Sequence, residues 1–128
     1  MLIDDNEDDN FFHHLIIKEA QVAETIKIVE SGFEALDFLK SHIPNPELIF
    51  LDINMPKMNG WEFLEEYEKI DAKYRAEAVI VMLTTSLNPT DKEKAHSQKI
   101  INDFESKPLT EEMLFKILNK YFPDRYSL

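Results

Sequence analysis

The sequence predicts an α/β domain: a five-stranded parallel sheet covered by helices on both faces, with its first strand shortened. Three observations carry this. Short apolar runs bounded by breakers alternate along the 128 residues with stretches of helical spacing. Two of the runs, at 48–51 and 78–83, are apolar throughout, as strands buried on both faces must be. The β-α order repeats five times with no internal repeat, low-complexity tract or linker, which implies one domain over 1–128 with helices on both faces of one sheet.

Met1-Leu2-Ile3 is an apolar stub that runs into Asp4-Asp5 and reads as the first strand. A strand usually has ~5–6 residues at ~3.3 Å each, so this one spans only about 10 Å. The neighbouring runs at 24–30 and 47–51 are longer, and their amino-terminal halves would face a gap. The expectation is that the natural chain carries three or four further, mostly apolar residues before Met1. Asn6 can cap a helix, with Glu7, Asp8 and Asp9 favourable in its first turn, and Phe12, Leu15, Ile16 and Ala20 follow at helical spacing over about 7–20. Ile26, Ile28 and Val29 mark a second strand at 24–30; Ser31-Gly32 turns the chain, and Ala35, Leu36 and Leu39 mark a second helix. After a loop with two prolines at 42–46, the third strand runs from Leu48 into Asp52.

Lys57-Met58-Asn59-Gly60 predicts a tight turn into a third helix over about 61–73, with Leu64, Tyr67 and Ile70 inward. The strand at 78–83 delivers Thr84-Thr85-Ser86. Asn88-Pro89-Thr90 opens a polar helix that ends near Lys99, and 100–106 is the last strand, closed by Lys107-Pro108. Thr110 caps a final helix whose Leu114, Ile117, Leu118 and Tyr121 stand at i, i+3, i+4 and i+7.

Composition removes several function classes. The 25 acidic residues against 14 basic ones give a net charge of −11, which argues against nucleic acid and against an anionic membrane surface as partners. With no cysteine there is no disulfide, zinc thiolate or thiol nucleophile. Apolar runs are too short to cross a bilayer and no signal peptide precedes the first acids, so a cytoplasmic location is the default. Gly32 and Gly60 are the only glycines, so no G-x-G-x-x-G phosphate loop is possible.

In a parallel sheet, ligands bind outside the carboxyl ends of the strands. Here those ends carry Asp4 and Asp5, Asp52, Thr84 and Lys107. Singly, each has an ordinary explanation: a solvated acid, a capping threonine, a surface lysine. Together they lie on one edge. Carboxylates crowded there repel by roughly 4 kcal/mol per pair at about 4 Å and an effective dielectric near 20. A divalent cation relieves that, and oxygen-only ligands suit Mg²⁺. Lysine and threonine add a point charge and a hydroxyl donor, the groups that hold phosphoryl oxygens.

The motifs Ile3-Asp4-Asp5, Leu51-Asp52-Ile53-Asn54-Met55-Pro56 with Asn59-Gly60, Leu83-Thr84-Thr85-Ser86 and Ser106-Lys107-Pro108 resemble, in joint order and spacing, the response-regulator receiver domain of the CheY-like family. The resemblance spans nearly the whole chain. It implies a doubly wound, flavodoxin-like sheet in strand order 2-1-3-4-5, of which this family is a type example. It implies Asp52 as phosphoacceptor and a Mg²⁺ site formed by Asp4, Asp5, Asp52 and the backbone carbonyl of Asn54. Thr84 and Lys107 match the residues that contact the acyl phosphate, and Phe104 stands where a switch aromatic stands, without a hydroxyl. The side chains of Asn54 and Ser86 occupy the positions that tune dephosphorylation, and the Lys107–Pro108 bond is expected to be cis.

The same resemblance implies a sensor histidine kinase or histidine phosphotransfer protein as phosphodonor. It also implies partner contact or a homodimer through the face of the last two helices and last strand. The chain is then not an enzyme beyond its own phosphotransfer and dephosphorylation. No output domain follows Tyr126, so output by protein contact is expected. The wording Leu83-Thr84-Thr85-Ser86 with Asn88-Pro89 is similar to stand-alone receivers linked to phytochrome kinases.

Alternatives remain. A pseudo-receiver would bind partners without phosphorylation, although every site residue is present. A haloacid-dehalogenase-type phosphatase also uses an Asp after a buried strand, but Asn54 stands where its second acid would be. A flavodoxin-like nucleotide or flavin binder would not place acids at its phosphate loop. His13, His14, His42 and His96 lack metal spacing and read as surface residues; Trp61 is expected near the site rim, and Phe115 and Phe122 flank the core stripe of the last helix.

Overall fold

The computed structural model describes residues 1–41, 45–75 and 78–126, so His42 lies outside the described residues. The elements run β1 (Leu2–Ile3), α1 (Glu7–Ala20), β2 (Ile28–Val29), α2 (Gly32–Ser41), β3 (Leu48–Leu51), α3 (Gly60–Lys69), α4 (Ala72–Arg75), β4 (Val79–Thr84), α5 (Pro89–Ser97), β5 (Asp103–Ser106), α6 (Glu111–Tyr121) and α7 (Pro123–Tyr126). The sheet is parallel in the order β2-β1-β3-β4-β5, as the resemblance implies.

Side chains alternate across the pleat and divide the core in two. Leu2, Phe50, Val79, Val81 and Leu83 point to one face and pack with Ile17 of α1 and Leu114, Ile117 and Leu118 of α6. Ile3, Ile49, Leu51, Ile80 and Met82 point to the other, against Leu36 and Leu39 of α2, Phe63, Leu64 and Tyr67 of α3 and Ala95 of α5. β3 and β4 therefore bury both faces, which is why their sequences are apolar without interruption.

Several boundaries differ from the sequence expectation, and one short helix is added. The strand expected at 24–30 is only Ile28–Val29, because β1 offers only Leu2 and Ile3 as pairing partners. The last strand begins at Asp103 rather than near 100: the Asn102 side chain, not a backbone carbonyl of a strand, accepts from Ile80 N at 2.9 Å. The third helix stops at Lys69, where Ile70 turns extended, and Asp71 caps the separate α4 by accepting from Lys73 N. A last short helix, α7, begins at Pro123, where no helix was expected.

The apolar spacing located α1 and part of its buried side, since Ile16 and Ala20 pack half-buried against the core. Phe12 and Leu15 are exposed, and the residues turned inward are Asn10, His13 and Ile17. His13 was expected on the surface; it is 2% exposed, because its Nε2 accepts from Leu109 N at 3.2 Å. His14 is half-buried and His96 exposed. Phe115 and Phe122 are half-buried against the α1–α6 side of the core. Beneath the short β1, the Met1 ammonium donates to the Leu48 carbonyl at 2.8 Å, and burial pulls that amine down to about 6.

Gly60 is where the fold fixes the site loop. Its N–H donates to Ile53 O at 2.8 Å, and a Cβ there would sit 2.5 Å from the Asp52 carbonyl oxygen and 3.0 Å from Ile53 Cα. Backbone cannot yield as a side chain does. Gly32 meets instead the flexible Met58 Sδ, at 2.4 Å. Gly60→Ala is therefore expected to cost about 1–3 kcal/mol in urea unfolding and Gly32→Ala clearly less; equal losses would contradict this packing.

Candidate functional site

Ladder hydrogen bonds place the strand ends side by side. Asp4 N donates to Val29 O at 3.1 Å, Asp52 N to Ile3 O at 3.0 Å, and Lys107 N to Thr84 O at 2.9 Å. Each of those residues is the first after its paired strand segment, so the sheet register alone sets their spacing. Carboxylate oxygens of Asp4, Asp5 and Asp52 lie within 4.8 Å of one another. Asp4 and Asp52 are buried and Asp5 is exposed, so the cluster opens to solvent on one side only.

Lys107 reaches into this cluster from β5. Its ammonium is 2.6 Å from Asp4 Oδ2, 2.8 Å from Asp9 Oδ2 and 3.6 Å from Asp52 Oδ1. Burial opposes its charge, but the hydrogen bonds of Asp4 and Asp9 and the charges of Asp4 and Asp52 outweigh that and hold the ammonium above its ordinary pKa. Asp52 moves the other way from a free carboxyl: burial and then the Asp4 charge, with Asp5 adding, push it up to about 6 against the pull of Lys107 and an Ile53 backbone bond.

The remaining expected residues surround this centre. Thr84 is fully buried, and its Oγ1 accepts from Ser86 N at 3.1 Å. Ser86 directs its hydroxyl away, donating to Asp91 Oδ2 at 2.6 Å, and the other Asp91 oxygen accepts from Trp61 Nε1 at 3.2 Å. Trp61 thus bridges α3 and α5, with the Lys94 ammonium 4.7 Å from its ring centroid. Asn54 is exposed on the loop after Asp52, in which Lys57 takes the left-handed conformation at φ 67°. Phe104 is half-buried on β5 and packs on the α2–α3 side of the core. The Lys107–Pro108 peptide is cis.

Four residues beside the site were not read as site residues from the sequence. Asp9 pairs with Lys107; Asn10 Nδ2 donates to Asp4 O at 2.8 Å; His13 holds Leu109; Asp91 ties Ser86 to Trp61. The signal was available for three of them, since positions 9, 10 and 13 share a face of α1 at i, i+1 and i+4. His13 lies below its ordinary pKa through burial and then the Lys107 charge, opposed by Asp9 and Asp4, which suits its role as a neutral acceptor. Beneath the acids, a cavity of about 10 Å³ between Asp4, Asn10, His13 and Asp52 has room for about one water, so any larger ligand must sit on the open edge.

A parallel sheet in this order, with an acidic cluster and one buried lysine at its carboxyl edge, defines a receiver-type domain. The sequence model of the response regulator receiver domain matches residues 1–119. The chemotaxis protein CheY of Bacillus subtilis is 28% identical over 116 residues, covering 88% of this chain and 91% of that protein. The polar-differentiation response regulator DivK of Brucella ovis is 32% identical over 125 residues, covering 97% and 95%. A crystal structure of a two-component response regulator from Cytophaga hutchinsonii superposes with a TM-score of 0.85 at 34% identity, covering 95% of this chain and 94% of that one. The chain belongs to the response regulator receiver family.

The Asp52 shift has a sign that can be tested. Its folded pKa, about 6, lies above the ordinary 3.8, so the folded state binds this proton more tightly. Stability from that proton is present at low pH and is lost as pH rises through about 6. Ionised Asp52 thus burdens the metal-free fold at neutral pH. In EDTA at about pH 7.5, Asp52→Asn should unfold later in urea, by about 1–2 kcal/mol after allowance for screening, with the gain shrinking toward pH 4. A variant less stable than the parent at pH 7.5 would contradict it.

Proposed function

We propose that this chain is a phosphoacceptor of two-component signalling: it takes a phosphoryl group from a phosphohistidine onto Asp52 and signals by a phosphorylation-dependent protein contact. The observation that carries this is the Lys107 ammonium 3.6 Å from a carboxylate that two other acids crowd. An Asp52 oxygen is the nucleophile. It forms a bond to phosphorus while the imidazole N–P bond breaks, and the ring nitrogen keeps that electron pair. Lys107 neutralises charge on the phosphoryl oxygens.

The donor set fits Mg²⁺. Asp4, Asp5 and Asp52 supply only oxygens, at one partly open edge, and the Asn54 carbonyl is the fourth protein ligand in this reading. When bound, Mg²⁺ offsets negative charge shared by the acids and the transferring group. The chain itself orients Asp52 through the β1 and β3 ladders and holds Lys107 beside it. After transfer, new acceptor oxygens stand beside Thr84, whose hydroxyl can leave Ser86 N to donate to them. Phe104, lacking a hydroxyl, would follow by packing alone. In this reading Ser86, which must first leave Asp91, and Asn54 are the side chains that tune loss of the phosphoryl group.

The donor is a sensor histidine kinase or histidine phosphotransfer protein. Phe11, Phe12 and Leu15 on α1 are exposed, in the turns that follow the acids, and offer it an apolar surface. Among the described residues, the large exposed apolar side chains fall on α1, at Phe33 and at Leu87, and none on α5, β5 or α6. A donor over α1 is thus better supported than a homodimer through the last helices. Among the described residues no helix is long and apolar enough to cross a membrane. A cytoplasmic location goes with this reading.

Acetyl phosphate with Mg²⁺ should add one phosphoryl mass that is absent in Asp52→Ala and in EDTA. Lys107→Ala should keep Mg²⁺ binding yet lose phosphorylation by about tenfold or more, on the scale of one charge-assisted contact of about 1.5–3 kcal/mol. A parent chain that gains no phosphoryl group, while binding its partner equally well, would favour a phosphorylation-independent module.

A further inference from the structure

The face of α1 that meets the site is polar, and each residue on it holds a different segment. Asp9 holds the Lys107 ammonium, Asn10 the Asp4 carbonyl and His13 the Leu109 N–H. Of these, the Asp9 contact falls on a group that the acid cluster must release. Lys107 sits 2.6 Å from Asp4 and 3.6 Å from Asp52, so it already supplies positive charge where a divalent cation would supply it. Two cations on the same carboxylates repel. The ammonium side chain is 7% exposed, so it cannot simply turn to water. It needs another anion within reach.

Resting on the reading of Asp4, Asp5 and Asp52 as a Mg²⁺ site, we propose that Asp9 is a positioning residue: the carboxylate onto which Lys107 withdraws when the cation takes Asp4 and Asp52. Asp9 is the third carboxylate on this ammonium, at 2.8 Å, and its side chain is 34% exposed. An ammonium that leans toward it moves off the metal ligands and toward better hydration. It also stays beside the edge where a phosphoryl group would arrive. Without Asp9, Lys107 is left on Asp4 and Asp52 and competes with the cation. Asp8 is the matched comparison: the same charge in the same first turn of α1, exposed, with no contact to Lys107 among the described residues.

Calorimetric Mg²⁺ titration of the parent, Asp9→Asn, Asp9→Glu, Asp8→Asn, Lys107→Ala and the Asp9→Asn/Lys107→Ala and Asp8→Asn/Lys107→Ala pairs tests this. Asp9→Asn should weaken binding by about threefold or more beyond Asp8→Asn, and in the Lys107→Ala background the two acid substitutions should become equal. Asp9→Glu, which keeps the carboxylate, should recover most of the loss. An Asp9→Asn effect no larger than that of Asp8→Asn, or one that persists undiminished without Lys107, overturns the role of Asp9 and leaves the acid site standing. So does an Asp9→Glu variant as weak as Asp9→Asn. A parent chain that takes up no Mg²⁺ at millimolar concentration overturns the metal site itself, and Asp9 with it.

Discussion

One buried ammonium holds one edge of this molecule together. Lys107 satisfies Asp4 and Asp9 and stands near Asp52, where the strand ends would otherwise gather only negative charge. The balance is incomplete. Asp5 adds a further carboxylate to the cluster, and Asp52 is left with a pKa near 6. A fold that keeps a carboxyl there gives up stability at neutral pH, and it does so at the position where the proposed phosphoacceptor reading needs its nucleophile.

The rest of the chain serves the placement of that edge. Two fully apolar strands, β3 and β4, anchor the centre of the sheet and carry Asp52 and Thr84 to its carboxyl end. Gly60 lets α3 begin against the backbone of Asp52 and Ile53, and the Asn59–Glu62 capping box fixes where it starts. On the other side α1 adds polar contacts near the site to the apolar packing of Ile17, so the helix that begins after the acids is tied to β1 through Asn10 and to the segment after β5 through Asp9 and His13. The outer side of that helix carries Phe11, Phe12 and Leu15 in the open, so a protein docked there would press on the elements that hold Lys107.

The sheet and the site edge were legible in the sequence because both rest on strong local signals. Runs such as Val79 to Leu83 admit few structures other than a buried strand, and the register of such strands then fixes which residues emerge together. Strand lengths were less legible, since they depend on neighbours: β2 is short because β1 is short, and β5 starts late because the Asn102 side chain takes a ladder bond. The buried side of α1 was read only in part: of its apolar stripe Ile16 and Ala20 pack on the core, while Phe12 and Leu15 are exposed and Asn10 and His13 are buried instead. Burial of His13 and Asn10 depends on Leu109 and Asp4, partners 96 and 6 residues away, and no periodicity reports that. The motif named Ser86, but the hydroxyl of that residue donates to Asp91, which a motif cannot show.

The central claim is that Asp4, Asp5 and Asp52 form a cation site whose repulsion the fold tolerates. Thermal unfolding of the parent and of Asp5→Ala, each in millimolar Mg²⁺ and in EDTA, tests it most directly. Binding to the folded state alone should raise the parent's melting temperature by several degrees, since an excess of about 100 Kd is worth about 2.7 kcal/mol. Asp5→Ala should show no such rise and, in EDTA, should melt no lower than the parent. Superimposable parent curves with and without Mg²⁺ would contradict the claim.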